Sequence, residues 1–188
     1  MSLKKGNEIP TIDVELVTVS TDGNETEIAL DTATKVAVTP VINTTDAITL
    51  VIKNILRAQK PKKSVITGHT IVLTDNVLNP ELLKILQGGK ITYKAGNAGP
   101  ITKYEPPVAG EAGGGKEFTL NLYSAVYNAA GVIVNHEKVS YPHCFGDPVA
   151  PSSEDDVFRI MEYTINSAPA NGEAPYTIEY VDALPVIS

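Results

Sequence analysis

The segment PHCFGD (residues 142–147) brings His143, Cys144 and Asp147 together on one short stretch. A thiol beside an imidazole could be a nucleophile with its base, and the three side chains together could begin a metal site. A catalytic base is usually supplied from elsewhere in a fold, however, and two or three ligands on one loop do not fix a metal. A structured loop around a buried cysteine is the expected outcome. His136-Glu137 falls on a predicted strand, where adjacent residues point to opposite faces. The pair is therefore expected to be exposed and polar, and unable to share acid–base work at one site.

Three further stretches raise and then lose a chemical reading. SSEDD (residues 152–156) with Glu162 offers several oxygens to a calcium ion, but in no known loop spacing. Acids following a serine on the approach to a strand account for it. DGNE (residues 22–25) resembles the start of a calcium loop without the glycine and distal glutamate that would complete it, and reads as a hairpin turn. AGEAGGGKE (residues 109–117) resembles a phosphate loop, but Glu117 stands where a Ser or Thr must follow Lys116, and a strand follows instead of a helix. No catalytic, cofactor or metal-binding constellation is expected, which leaves a structural protein or a binding module.

The remaining charged feature is the basic group Arg57, Lys60, Lys62 and Lys63. It has no interleaved aromatics and sits in a chain of formal charge −7, so general affinity for nucleic acid is not expected. A hairpin tip, solvated or set against an acidic face of another subunit, fits it better.

The elements that carry these residues are mostly strands. TIDVELVTVS (residues 11–20) alternates apolar and polar positions, and EIALDTATKVAVTPVI reads as one or two short strands with Pro40 at an edge or break. Residues 47–58 are predicted as one strand and 64–75 as its return, a long hairpin around 47–75 with QKPKKS at its tip. Residues 90–95, 118–128, 131–141, 157–167 and 175–184 complete the strand set, and residues 141–156 read as irregular. Residues 96–116 form a Gly/Pro-rich loop. One helix interrupts the pattern at about 79–87: Asn79 is a good N-cap, Pro80 suits the first helical position, and Gly88-Gly89 supplies a left-handed stop. It is too short to be stable alone, so Leu82, Leu83, Ile85 and Leu86 must dock on something apolar.

Composition agrees with this outline. Apolar residues make up 43% of 188 residues, enough for one domain with a full-sized core. No apolar run approaches a membrane span, and no signal peptide is expected, because the two N-terminal lysines lack an apolar stretch behind them. The lone Cys144 excludes an internal disulfide framework. The expected fold is mainly β: a sandwich or open barrel of roughly eight to ten strands with one flanking helix, spanning residues 1–188 as a single domain.

Three stretches carry a family resemblance: GHTIVLTDNVLNPELLKILQGGKITY, VSYPHCFGDPVAPSSEDDVFRIMEYTINS and NGEAPYTIEYVDALP. Together they resemble the tail tube (major tail) proteins of phages and prophages of Gram-positive bacteria. The pattern is a strand, an Asn-Pro-Glu helix and Gly-Gly, then an acidic approach to a strand and a closing Pro-Tyr strand. The resemblance covers up to half of the chain. It implies a structural virion protein whose hexameric rings stack into a hollow tube for DNA, assembled in the host cytoplasm and located in the virion tail. A long hairpin or loop would reach the adjacent ring, and Arg57, Lys60, Lys62 and Lys63 are the candidates for that contact. Leu82, Leu83, Ile85 and Leu86 would divide between the subunit's own core and a neighbour. Implied partners are further copies of the chain, a tape-measure protein, and terminator or initiator proteins, with passing DNA not bound specifically. No cofactor and no membrane are implied. A head–tail completion protein, another ring-forming virion protein, the tube of a bacteriocin-like particle, or a sandwich-type binding module are the alternatives.

Overall fold

The computed structural model describes residues 9–21, 27–94, 99–111 and 113–187. The DGNE turn lies outside them. The described residues form β1 (Thr11–Thr21), β2 (Glu27–Leu30), β3 (Ala33–Thr45), β4 (Ile48–Ile52), β5 (Ile55–Lys60), β6 (Lys63–Asp75), α1 (Pro80–Gln87), β7 (Lys90–Tyr93), β8 (Ile101–Glu105), β9 (Phe118–Tyr127), β10 (Ile133–Gly146), β11 (Met161–Ser167) and β12 (Thr177–Val181). The fold is mainly β, with one short helix and one large antiparallel sheet.

That sheet runs β2-β1-β9-β10-β11-β6-β3, and β12 pairs with the first half of β10. β1 also lies against β3, from the far end of this order, so the sheet curls on itself as an open barrel. Alternation decides what the barrel encloses. Val17 and Val19 of β1, Phe118 and Leu120 of β9, Ile71 and Leu73 of β6, and Met161, Tyr163 and Ile165 of β11 all point inward and are buried in one cluster.

The helix closes this core. Asn79 accepts from the backbone N–H groups of Glu81 (3.0 Å) and Leu82 (3.1 Å), and Pro80 follows as the first helical residue. Leu82, Leu83, Ile85 and Leu86 are all buried among the strand residues of the same chain. The eight-residue helix presents one broad apolar face to these strands. Its last carbonyls are then met by a glycine strap. Lys116 N–H donates to Ile85 O (2.8 Å), and a Cβ on Gly115 would stand 2.4 Å from Leu86 O. The glycine run therefore exists for close backbone approach, not for phosphate.

Four sequence expectations shift in register or extent. The hairpin turns at Lys53-Asn54, not at 59–64, and Pro61-Lys62 is only a break between β5 and β6. Both turn residues have positive φ (51° and 62°), the conformation of a two-residue primed turn, reached here without glycine. The 96–116 stretch contains a strand, β8, paired with β7. β10 runs on through Gly146, past a bulge where His143 takes φ 50°. β11 begins at Met161, so Val157, Phe158 and Ile160 lie in the loop before it.

Candidate functional site

Among the described residues, none of the chemical candidates read from the sequence assembles. Cys144 is fully buried, its Sγ donates to Tyr141 O (3.2 Å), and burial pushes the thiol pKa up to about 12. His143 faces away from it: Nδ1 lies against Glu117 Oε1 and Nε2 is 3.0 Å from Glu173 Oε2. The imidazole thus bridges two carboxylates on separate loops and is not paired with the thiol. His136 and Glu137 point to opposite faces as strand alternation requires. His136 Nδ1 meets Glu15 Oε2 at 2.6 Å, while Glu137 accepts from the Tyr180 hydroxyl at 3.1 Å. Among the described residues no three His, Cys, Asp or Glu side chains converge as a metal cage, so Glu154, Asp155, Asp156 and Glu162 form none. The third histidine, His69, is buried edge-on against Tyr141 and Tyr176, with ring centroids 5.2 and 5.5 Å away. Desolvation lowers its pKa, and its Nδ1 has no hydrogen-bond partner among the described residues.

The surface that stands out is an arm. β3 and β6 pair from Ala33↔Asp75 out to Thr45↔Lys63, and β4 and β5 continue the same hairpin to Lys53-Asn54. At about 3.3 Å per residue the part beyond Val41 reaches about 40 Å. Ten large apolar side chains on it, between Val41 and Ile66, are 43–63% exposed. The residues that face the core on β3 and β6 set the pattern. Val36, opposite Leu73, and Val38, opposite Ile71, belong to the inward face, and the alternation carries on to Pro40, Ile42 and Ile66, which the described residues leave exposed. Farther out, Ile48, Leu50, Ala58, Ile52 and Ile55 share one face of β4–β5. Ten such side chains exposed over the two faces of one hairpin are more than a soluble monomer normally shows.

The predicted basic residues lie along this arm and not at its tip. Arg57 is the extra residue of a bulge between the Leu50↔Ala58 and Val51↔Leu56 pairs; Lys60 ends β5, Lys62 sits in the break and Lys63 begins β6. With Lys53 at the turn, residues 41–67 hold five cations and one anion, a net +4 in a chain of −7, which leaves −11 for the rest. None of the five cations has an ion-pair partner among the described residues.

Comparison with known proteins adds little to this geometry. No protein-family model matches the chain, and no curated protein matches it. Among solved structures, a chain of the PVC sheath-tube complex of an extracellular contractile injection system, in its extended state, is similar. The two chains are 15% identical over 93% of each, with a TM-score of 0.42. That overlap is too loose to assign a role.

The second surface is the loop joining β10 to β11. Its start is pinned: Asp147 N–H donates to Thr164 O (2.9 Å), Asn166 Nδ2 to Asp147 Oδ1 (3.1 Å), and Val149 N–H to Gln87 Oε1 (2.7 Å) at the end of the helix. Gln87 in turn donates to Tyr104 (2.8 Å), whose hydroxyl donates to Gly88 O (2.8 Å). Farther along, Arg159 donates through Nε (3.0 Å) and Nη2 (2.6 Å) to Ser153 Oγ. That leaves Glu154, Asp155 and Asp156 without an ion-pair partner among the described residues, beside a Phe158 that is 94% exposed.

Proposed function

We propose that this chain is the structural subunit of a hollow tail-type tube, in which hexameric rings stack and the arm of each subunit, through Arg57, Lys60, Lys62 and Lys63, contacts the adjacent ring. The carrying observation is the arm itself, whose apolar face extends the barrel's inward face into solvent. Such a surface is stabilised only by a partner, and a homopolymer supplies one to every copy. β2 and β3 end the hydrogen-bonded order of the large sheet among the described residues, and neighbours in a closed ring would cover strand edges that otherwise invite aggregation. The sequence resemblance to tail tube proteins supports this reading. A net acidic subunit also suits a conduit for a polyanion, because like charges repel over about 8 Å at physiological salt.

Negative-stain microscopy of concentrated protein tests the proposal directly. Tubes are expected. Single rings that never stack would point to a completion protein, and dispersed monomers at every concentration would overturn the reading.

A further inference from the structure

The arm and the β10–β11 loop occupy opposite poles of the same strands. The arm leaves β3 and β6 at Thr45↔Lys63, whereas the loop delivers β11 to β6 at Met161↔Asp75, beside the Ala33↔Asp75 pair that begins β3. They also carry complementary chemistry. The arm is apolar and cationic. The loop offers Val157, Phe158 and Ile160, each more than half exposed, next to three unpaired carboxylates.

We infer that the arm of one copy docks on the 152–160 loop of a second copy, with the Ile48–Leu50–Ile52 face against Phe158 and the arm cations against Glu154, Asp155 and Asp156. This rests on the reading of the arm as a self-association element and adds the surface that receives it. The occupant is a second copy of this chain because both halves of the contact are present on each molecule, and at opposite ends. A contact between two different patches is heterologous, so each added copy presents a fresh arm and the series does not close on a dimer. Hydrogen bonds at Asp147 and Val149 fix where the loop leaves the barrel, and Arg159 ties its far end back to Ser153, which limits the ordering cost of binding there.

Two charge-reversed variants and their combination test the pairing. One carries Lys60→Glu, Lys62→Glu and Lys63→Glu; the other carries Glu154→Lys, Asp155→Lys and Asp156→Lys. Each alone is expected to raise the critical concentration for polymerisation about tenfold or more, through lost attraction and new repulsion, and the two mixed in one solution should copolymerise. Circular dichroism and a thermal melt check that each variant is folded. A single chain with Leu50→Cys and Phe158→Cys provides an independent reading under oxidation: a ladder of covalent oligomers is expected on a denaturing gel. Normal polymerisation of the loop variant with failure of the arm variant would overturn the loop as receptor while leaving the arm's role intact. Normal polymerisation of both, or monomers only for the unmodified chain with no cross-linked ladder, would overturn both readings.

Discussion

Replacing Ile48, Leu50, Ile52 and Ile55 with threonine should abolish assembly and leave the folded subunit almost untouched. These side chains are 47–63% exposed, so roughly half of each is still available for burial by a neighbour. Complete burial of such a side chain is worth about 1.5–3 kcal/mol, so the exposed half is worth about 0.7–1.5 kcal/mol. Four of them sum to about 3–6 kcal/mol, a factor of roughly 10²–10⁴ in the association constant. Threonine is β-branched and suits a strand, which separates the loss of apolar contact from a loss of arm structure. Pelleting and light scattering across a concentration series would measure the critical concentration, and a thermal melt the stability of the monomer. Polymerisation at the unmodified concentration would refute the reasoning. So would a melt several degrees lower, since it would mean that these side chains already support their own barrel.

The remaining predictions concern the barrel and its plug. Leu86→Ala removes a side chain packed inside the core and against Gly146, and should cost about 2–5 kcal/mol in urea unfolding. Gly115→Ala places a methyl group 2.4 Å from Leu86 O and should destabilise by about 1–3 kcal/mol, whereas Gly114→Ala meets nothing within 4 Å and should be close to neutral in the same assay. His69 has a folded pKa below its ordinary 6.5 because of desolvation, so the unfolded chain takes up the proton first. Stability is then fully present above about pH 6.5 and falls as the pH drops from there towards the folded value. Melts at pH 8 and pH 5.5 should diverge less for His69→Phe than for the unmodified chain, and equal divergence would refute the assignment.

What could be read from the sequence was what is decided locally. The helix is legible because Asn79, Pro80 and Gly88 each act within a residue or two of its ends, and the structure uses all three. The hairpin turn was misplaced because Lys53 and Asn54 reach positive φ without glycine, while Pro61 among lysines imitates a turn and only interrupts a strand. Pairing of β3 with β6 decided that outcome, and it lies outside the reach of a local pattern. Phe158 and Ile160 stand two apart, as on one face of a strand, yet β11 begins only where Met161 finds Asp75 opposite it. β8 was hidden inside a Gly/Pro-rich stretch because its neighbours diluted the strand signal, and only pairing with β7 defines it. Of the candidate site, the cations could be found by composition. The apolar face between them could not be told from an ordinary buried strand, since a buried strand and an uncovered one share the same pattern.

The arm is not a loop inserted between elements but an outward continuation of β3 and β6. A pull on its tip therefore enters the barrel along the strands. To slide outward, β6 must shear against β11 over the register from Ser167↔His69 to Met161↔Asp75, where the ladder bonds carry the load together instead of opening one by one. A polymer joined through such arms would resist stretching as a rope resists it, by the lengthwise strength of its fibres.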